Sequence, residues 1–120
     1  MGQNEPRGRI NHELESEYRT AGSEESMEEK AKQIAELLKI LANENRLMIL
    51  CALMEEPMAV GKIAERVTGI TQPALSQHLS MMKAAGILDS EKRGQSITYS
   101  ILDHRVEEVM HVLKQHYCDI

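Results

Sequence analysis

The sequence has no phenylalanine, no tryptophan and only three tyrosines in 120 residues. Its interior must therefore be filled by Leu, Ile, Val, Met and Ala. A chain of this length makes one small domain with a limited core. Pairing with a second copy would bury more surface, so a homodimer is expected. No apolar run reaches the roughly 18 residues of a membrane-spanning helix, so no membrane contact is expected. No apolar stretch follows the N-terminus, so no secretory leader is expected and the chain reads as cytoplasmic. There are two cysteines, Cys51 and Cys118. In a reducing compartment these are thiols by default and not a disulfide framework. Neither stands in a Cys-x-x-Cys motif or on a strand-helix scaffold, which argues against a thiol enzyme. No catalytic residue and no cofactor is expected.

Positive charge is also scarce. The net charge is −5, which at first argues against a nucleic-acid partner. Its distribution softens that objection. Residues 1–30 sum to −4, residues 31–65 to −1 and residues 103–120 to −2. Residues 66–102 hold Arg66, Lys83, Lys92 and Arg93 against Asp89 and Glu91, a net of +2. Phosphate contact depends on the local field more than on total charge. An acidic chain should nonetheless bind DNA more weakly and more selectively than a basic one.

That basic segment contains the stretch Thr71–Gly86, which reads as one helix with two faces. Leu75, Leu79 and Met82 recur at helical spacing and form an apolar stripe. Gln72, Ser76, Gln77 and Lys83 lie off it and can reach base edges or phosphates. Thr71 is a plausible N-cap, Pro73 is tolerated in the first turn, and Gly86 stops the helix. Taken alone, the stretch fits a surface amphipathic helix equally well. Its neighbours decide the matter. Val60–Val67 reads as a short helix with Ile63, Ala64 and Val67 facing inward. Thr68-Gly69-Ile70 is a tight turn between the two, which makes a helix-turn-helix.

Residues 1–24 read as a charged tail, broken by glycine and proline, with no assigned function. Residues 25–120 are the expected folded domain. Met27, Ala31, Ile34, Leu38 and Leu41 mark a helix over 25–42, with Leu37 widening its stripe. That face suits either ordinary core or a partner helix. Asn43 can cap a second helix running from Arg46 through Met54 to Pro57. It is apolar nearly all round and should be central. After Gly86 the period changes to two. Ile87–Arg93 and Ser96–Leu102 read as strands joined by a Gly94-Gln95 turn. Asp103 caps a last helix, His104–Tyr117, whose stripe is Val106, Val109, Met110, Leu113 and Tyr117. The fold expected is mainly α with a small β-hairpin, a winged helix-turn-helix. The wing would lie along the DNA backbone or in the minor groove.

For DNA contact, Gln72, Ser76, Gln77 and His78 are the base-reading or groove-facing candidates. Thr71, Lys83, Arg93 and Gln95 are the phosphate candidates. The stretches LANENRLMIL, QPALSQHLSMMKAAGIL and RGQSITYSI, in this order, resemble the ArsR/SmtB family of bacterial repressors. The resemblance covers about residues 27–118. It implies a winged-helix homodimer with the first and last helices in much of the interface. It also implies binding to an imperfect inverted repeat in double-stranded promoter DNA, with release by an inducer or by thiol chemistry.

Within that family the arsenic and cadmium type carries Cys-x-Cys on the helix before the turn. Ile63–Val67 holds no cysteine. The zinc type uses the last helix. Its positions fall here on Asp103, Arg105, His116 and Asp119, and arginine cannot hold a metal. A zinc site through Asp103, His116 and Asp119 therefore remains only as a degenerate alternative. Cys51 and Cys118 are similar in placement to the persulfide-sensing branch (the SqrR, BigR and HlyU type). There, reactive sulfur species bridge two cysteines of one subunit and the protein leaves DNA. The chemistry asks for an accessible thiol and a second one near enough to resolve its oxidation product. Cys51 alone also fits a small apolar core residue. His104 and His111 stand fourteen and seven residues before Cys118, on one face if the helix is regular. His111 could tune the thiol, or these histidines are simply solvated. Apart from a thiol enzyme, the remaining rival is a winged-helix module that binds protein instead of DNA.

Overall fold

A computed structural model describes residues 25–118. The expected tail, residues 1–24, and Asp119 lie outside the described residues. The described residues form two units, one up to Leu37 and one from Leu38 onward. The first contributes most of helix α1, Met27–Leu41. Glu28 and Glu29 stand in its first turn, where the helix dipole favours negative charge. Ser26 and Glu29 close a reciprocal capping box, Ser26 Oγ accepting from Glu29 N at 3.2 Å and Glu29 Oε1 from Ser26 N at 3.3 Å.

The second unit holds the core and the candidate site. Helix α2 (Glu44–Leu53) is capped by Asn43, whose Oδ1 accepts from Arg46 N at 3.1 Å. A two-residue strand β1 (Met58–Ala59) leads into helix α3 (Val60–Arg66). Helix α4 (Gln72–Ala84) follows a short turn. Strands β2 (Leu88–Arg93) and β3 (Ser96–Ile101) form the hairpin. Helix α5 (His104–Leu113) is continued by a π-helical turn, Lys114–Cys118. The sheet has the order β1-β3-β2 and is antiparallel throughout.

Sequence periodicity located these elements, with three corrections. The second helix ends at Leu53 and does not reach Pro57. Proline disfavours helical geometry in the residue before it, and here the chain straightens into β1. The wing therefore has three strands and not two, with Met58 opposite Tyr99 and Ala59 opposite Thr98. The last helix keeps α geometry only to Leu113. The α-helical spacing that put His111 and Cys118 on one face does not continue through the π turn.

The core is aliphatic, as a chain without Phe and Trp requires. Ile49 and Leu50 of α2, Ile63 of α3, Leu75, Leu79 and Met82 of α4, Ile87, Leu88 and Val106 are fully buried. Ala64, expected inside, is half-buried. Each side chain of this size contributes about 1.5–3 kcal/mol when removed from water. No polar or charged side chain is buried among the described residues. Several large apolar side chains stay outside this core, among them Leu38 on α1, Met48 on α2, and Val109, Val112 and Leu113 on α5.

Candidate nucleic-acid interface and thiol pocket

The candidate DNA-facing helix is fixed at both ends by its own sequence. Thr71 Oγ1 accepts from Ala74 N at 3.3 Å, and Pro73 sits in the first turn, where its missing N–H costs nothing. At the other end Gly86 N donates to the Lys83 carbonyl at 3.0 Å and Ile87 N to the Met82 carbonyl at 2.9 Å. These two bonds are a Schellman closure, which needs a left-handed residue, and Gly86 has φ +82°. Between the ends, Leu75, Leu79 and Met82 face the core, while Gln72, Ser76, Gln77 and Lys83 are exposed. The two faces expected from the sequence are both present.

His78 stands apart from the other contact candidates. It is half-buried, and its Nδ1 accepts from Arg46 Nε of α2 at 3.2 Å. An accepting Nδ1 places the proton of the neutral ring on Nε2. Burial first, and the Arg46 charge second, hold the ring below the ordinary histidine value. Arg46 was not among the candidates. It is the last charge before the apolar run Leu47–Met54, and that position was the available signal.

The hairpin presents Arg93 and Gln95 at its exposed tip. Gly94 opens the two-residue turn with φ +63°, a conformation that favours glycine and matches the strand twist. Arg93 Nη2 donates to Glu91 Oε1 at 3.3 Å, so this phosphate candidate holds a carboxylate partner that the sequence reading overlooked. Arg66, the other arginine of the basic segment, is engaged by Glu55 at 2.7 Å and ties α3 to the end of α2.

Cys51 is half-buried on α2. It lines an apolar groove of ≈ 390 Å³ together with Leu47, Met48, Met110, Leu113, Lys114 and Tyr117. The groove runs between α2 and the end of α5 with its π turn. Cys118 is the last residue of that turn, next to Tyr117. The zinc alternative fares differently. Asp103 is engaged by Arg105, and His104 pairs with Glu107 at 3.2 Å. Among the described residues no group of three or more His, Cys, Asp or Glu side chains is placed to hold a metal ion.

A helix-turn-helix followed by a small antiparallel wing defines the winged helix-turn-helix class of DNA-binding proteins. Residues 43–90 match the family described as "Bacterial regulatory protein, arsR family". The chain is 34% identical over 94 residues to the transcriptional activator HlyU of Vibrio cholerae, covering 78% of this chain and 86% of that protein. The solved structure of reduced HlyU from Vibrio cholerae superposes with a TM-score of 0.72 at 35% identity, covering 77% of this chain and 96% of that one. The biofilm growth-associated repressor of Xylella fastidiosa is 31% identical over 107 residues, covering 89% of this chain and 93% of the repressor. A homodimeric winged helix-turn-helix domain from Mycobacterium bovis has a TM-score of 0.65 at 28% identity, covering 82% of this chain and 91% of that one. The protein belongs to the arsR family and is a DNA-binding transcriptional regulator. No helix among its described residues is long and apolar enough to cross a membrane.

Proposed function

We propose that the protein is a homodimeric repressor that leaves an inverted-repeat promoter site when reactive sulfur species bridge Cys51 and Cys118. The observation that carries this reading is the groove. Cys51 lines it, and so do Lys114 and Tyr117 of the turn that Cys118 ends. A first oxidation product at Cys51 therefore forms beside the segment that carries the resolving thiol. The largely apolar lining suits a small uncharged sulfur donor better than a hydrated ion. π turns are also frequent at functional sites.

The chemistry balances with a low-molecular-weight persulfide, RSSH, as the oxidant. Each cysteine thiolate attacks the outer sulfur of one RSSH, giving a protein persulfide and releasing RSH. One protein persulfide anion then attacks the Cβ-bound sulfur of the other and expels HS⁻. The product is a trisulfide, the shortest bridge this route makes. A disulfide needs Cα atoms within about 7 Å, and a longer bridge relaxes that limit.

Homodimerisation is supported by the apolar residues left on the two helices that the family resemblance assigns to the interface. Leu38 of α1 is 51% exposed, and Val112 of α5 is also 51% exposed. A bridge between α2 and the end of α5 would join the helix-turn-helix core to that interface. Both recognition helices must enter successive major grooves about 34 Å apart. A shift of a few Å in their spacing would cost contacts on both half-sites.

Intact-protein mass spectrometry after persulfide treatment, beside promoter binding of the same sample, tests the reading. DNA release should track a species with one added sulfur and two hydrogens lost. Cys51→Ser and Cys118→Ser should each bind DNA as the wild type does and fail to release it. Release retained by either single variant would sink the mechanism.

A further inference from the structure

The polar tie between α2 and α4 has no part in the thiol chemistry. Arg46 makes three hydrogen bonds at one corner of the fold. Its backbone N–H serves the Asn43 cap. Its Nη1 donates to the Ile40 carbonyl, in the last turn of α1, at 3.0 Å. Its Nε donates to His78 Nδ1 at 3.2 Å. The last carbonyls of a helix lack internal partners and lie at the negative end of its dipole, so a guanidinium suits Ile40.

His78 sits directly after the base-reading candidates Ser76 and Gln77. The rest of the inner face of α4 is Leu75, Leu79 and Met82. Apolar contact is non-directional and tolerates small rotations of a helix better than a hydrogen bond does. A bond between a planar guanidinium and an imidazole nitrogen does have direction. Among the described residues, Arg46–His78 is the one side-chain hydrogen bond that ties α4 to another element.

We propose that Arg46 is a positioning residue that sets the rotation of the recognition helix through neutral His78, and that protonation of His78 releases the helix and lowers operator affinity.

The geometry gives the sign. A protonated ring is a donor at both nitrogens, so Nδ1–H would face Arg46 Nε–H, and two cations would meet in a half-buried site. Arg46, from α2, is the charged group whose field His78 feels. On α4 itself the neighbouring turns place Ala74, Leu75, Met81 and Met82 around it, all uncharged. If His78 instead met a phosphate, protonation would strengthen binding, which is the opposite sign.

The test uses the reduced full-length protein without inducer, so it is independent of the persulfide reading. Operator affinity of the wild type and of His78→Gln is measured from pH 8 to pH 5.5 at constant ionic strength. Glutamine can accept from Arg46 but does not titrate. The other histidines are common to both proteins, so the ratio of the two affinities isolates His78. That ratio should fall for the wild type as pH drops, by less than tenfold at pH 5.5 because the ring is held below the ordinary histidine value. Arg46→Gln should remove this pH dependence and weaken operator DNA more than random DNA. If Arg46→Gln does not fold, the wild-type to His78→Gln ratio still decides. A ratio that stays flat, or rises in acid, overturns the proposal.

Discussion

Asp103 and Arg105 form a two-toothed ion pair at the start of α5. Arg105 Nη2 donates to Asp103 Oδ2 at 2.6 Å and Arg105 Nε to Oδ1 at 3.0 Å. The same Oδ1 accepts the Arg105 backbone N–H at 2.9 Å, which caps the helix. The carboxylate that a zinc site would need is thus held by the very arginine that occupies the second zinc-type position. Zinc would have to break this pair to reach Asp103.

The Asp103 pair predicts a stability effect with a defined pH window. The Arg105 side chain, outweighing burial, and then the backbone N–H groups of Arg105 and Val106 hold the Asp103 carboxyl below its ordinary 3.8. A lowered folded-state value means the stabilisation is present above the ordinary value and disappears as pH falls through the folded one. Asp103→Ala should cost about 1 kcal/mol at neutral pH, mostly through the lost cap, since Arg105 is largely exposed. Asp103→Asn keeps the cap and should cost less. Urea unfolding at pH 7 and at pH 3 checks this. A gap between wild type and Asp103→Asn that widened in acid would contradict the assignment.

At the wing, Arg93 and Glu91 are both well exposed, and such a pair is worth no more than ~1 kcal/mol. A DNA phosphate can therefore take Arg93 from Glu91. Arg93→Ala should weaken operator and random DNA alike and reduce the slope of log affinity against log salt by about one. Glu91→Gln should bind both DNAs more tightly, because a competing carboxylate is gone. Titrations at four salt concentrations distinguish these outcomes. If Arg93→Ala changed sequence preference with an unchanged slope, the arginine would be reading bases instead.

Met58 is nearly fully buried, and in β1 it stands opposite Tyr99. Met58→Ala should cost about 2–4 kcal/mol through lost contacts and an unfilled space. The loss belongs to the root of the wing, so hydrogen exchange of β3 amides should rise with it. A variant with wild-type stability would mean that β1 is dispensable to the wing.

These elements differ in how well the sequence announces them. The α4 stripe, its Thr71 cap and its Gly86 stop are local signals, each complete within a few residues. The hairpin is local too, since Gly94-Gln95 joins strands that pair one after the other. Strand β1 is not, because two residues carry no period and its partners lie forty positions away in β3. The Arg46–His78 bond spans 32 residues and exists only once α2 and α4 pack together. The groove around Cys51 has the same origin. Its walls come from α2 and the end of α5, and neither helix by itself shows that a space will remain between them. The proposed pairing of Cys51 with Cys118 came from resemblance and from the chemistry a sensing thiol needs, not from any local pattern. The π turn that ends at Cys118 leaves no clear mark in the sequence, because KQHYC continues an ordinary helical pattern.

The two faces of α4 allow the last prediction to separate folding from reading. Leu79 is fully buried, and Gln77 is exposed two residues earlier. Leu79→Ala should destabilise the fold by about 2–5 kcal/mol. Its effect on DNA should scale with the fraction unfolded and spare sequence preference. Gln77→Ala should leave stability within about 0.5 kcal/mol, as surface changes usually do. It should nonetheless cost about 1–3 kcal/mol in discrimination at one base pair if Gln77 makes a bidentate adenine contact. Thermal unfolding beside binding to a set of single-base operator variants resolves the two. The assignment of faces fails if Gln77→Ala lowers stability while keeping its preference, because the helix would then be rotated from the position described.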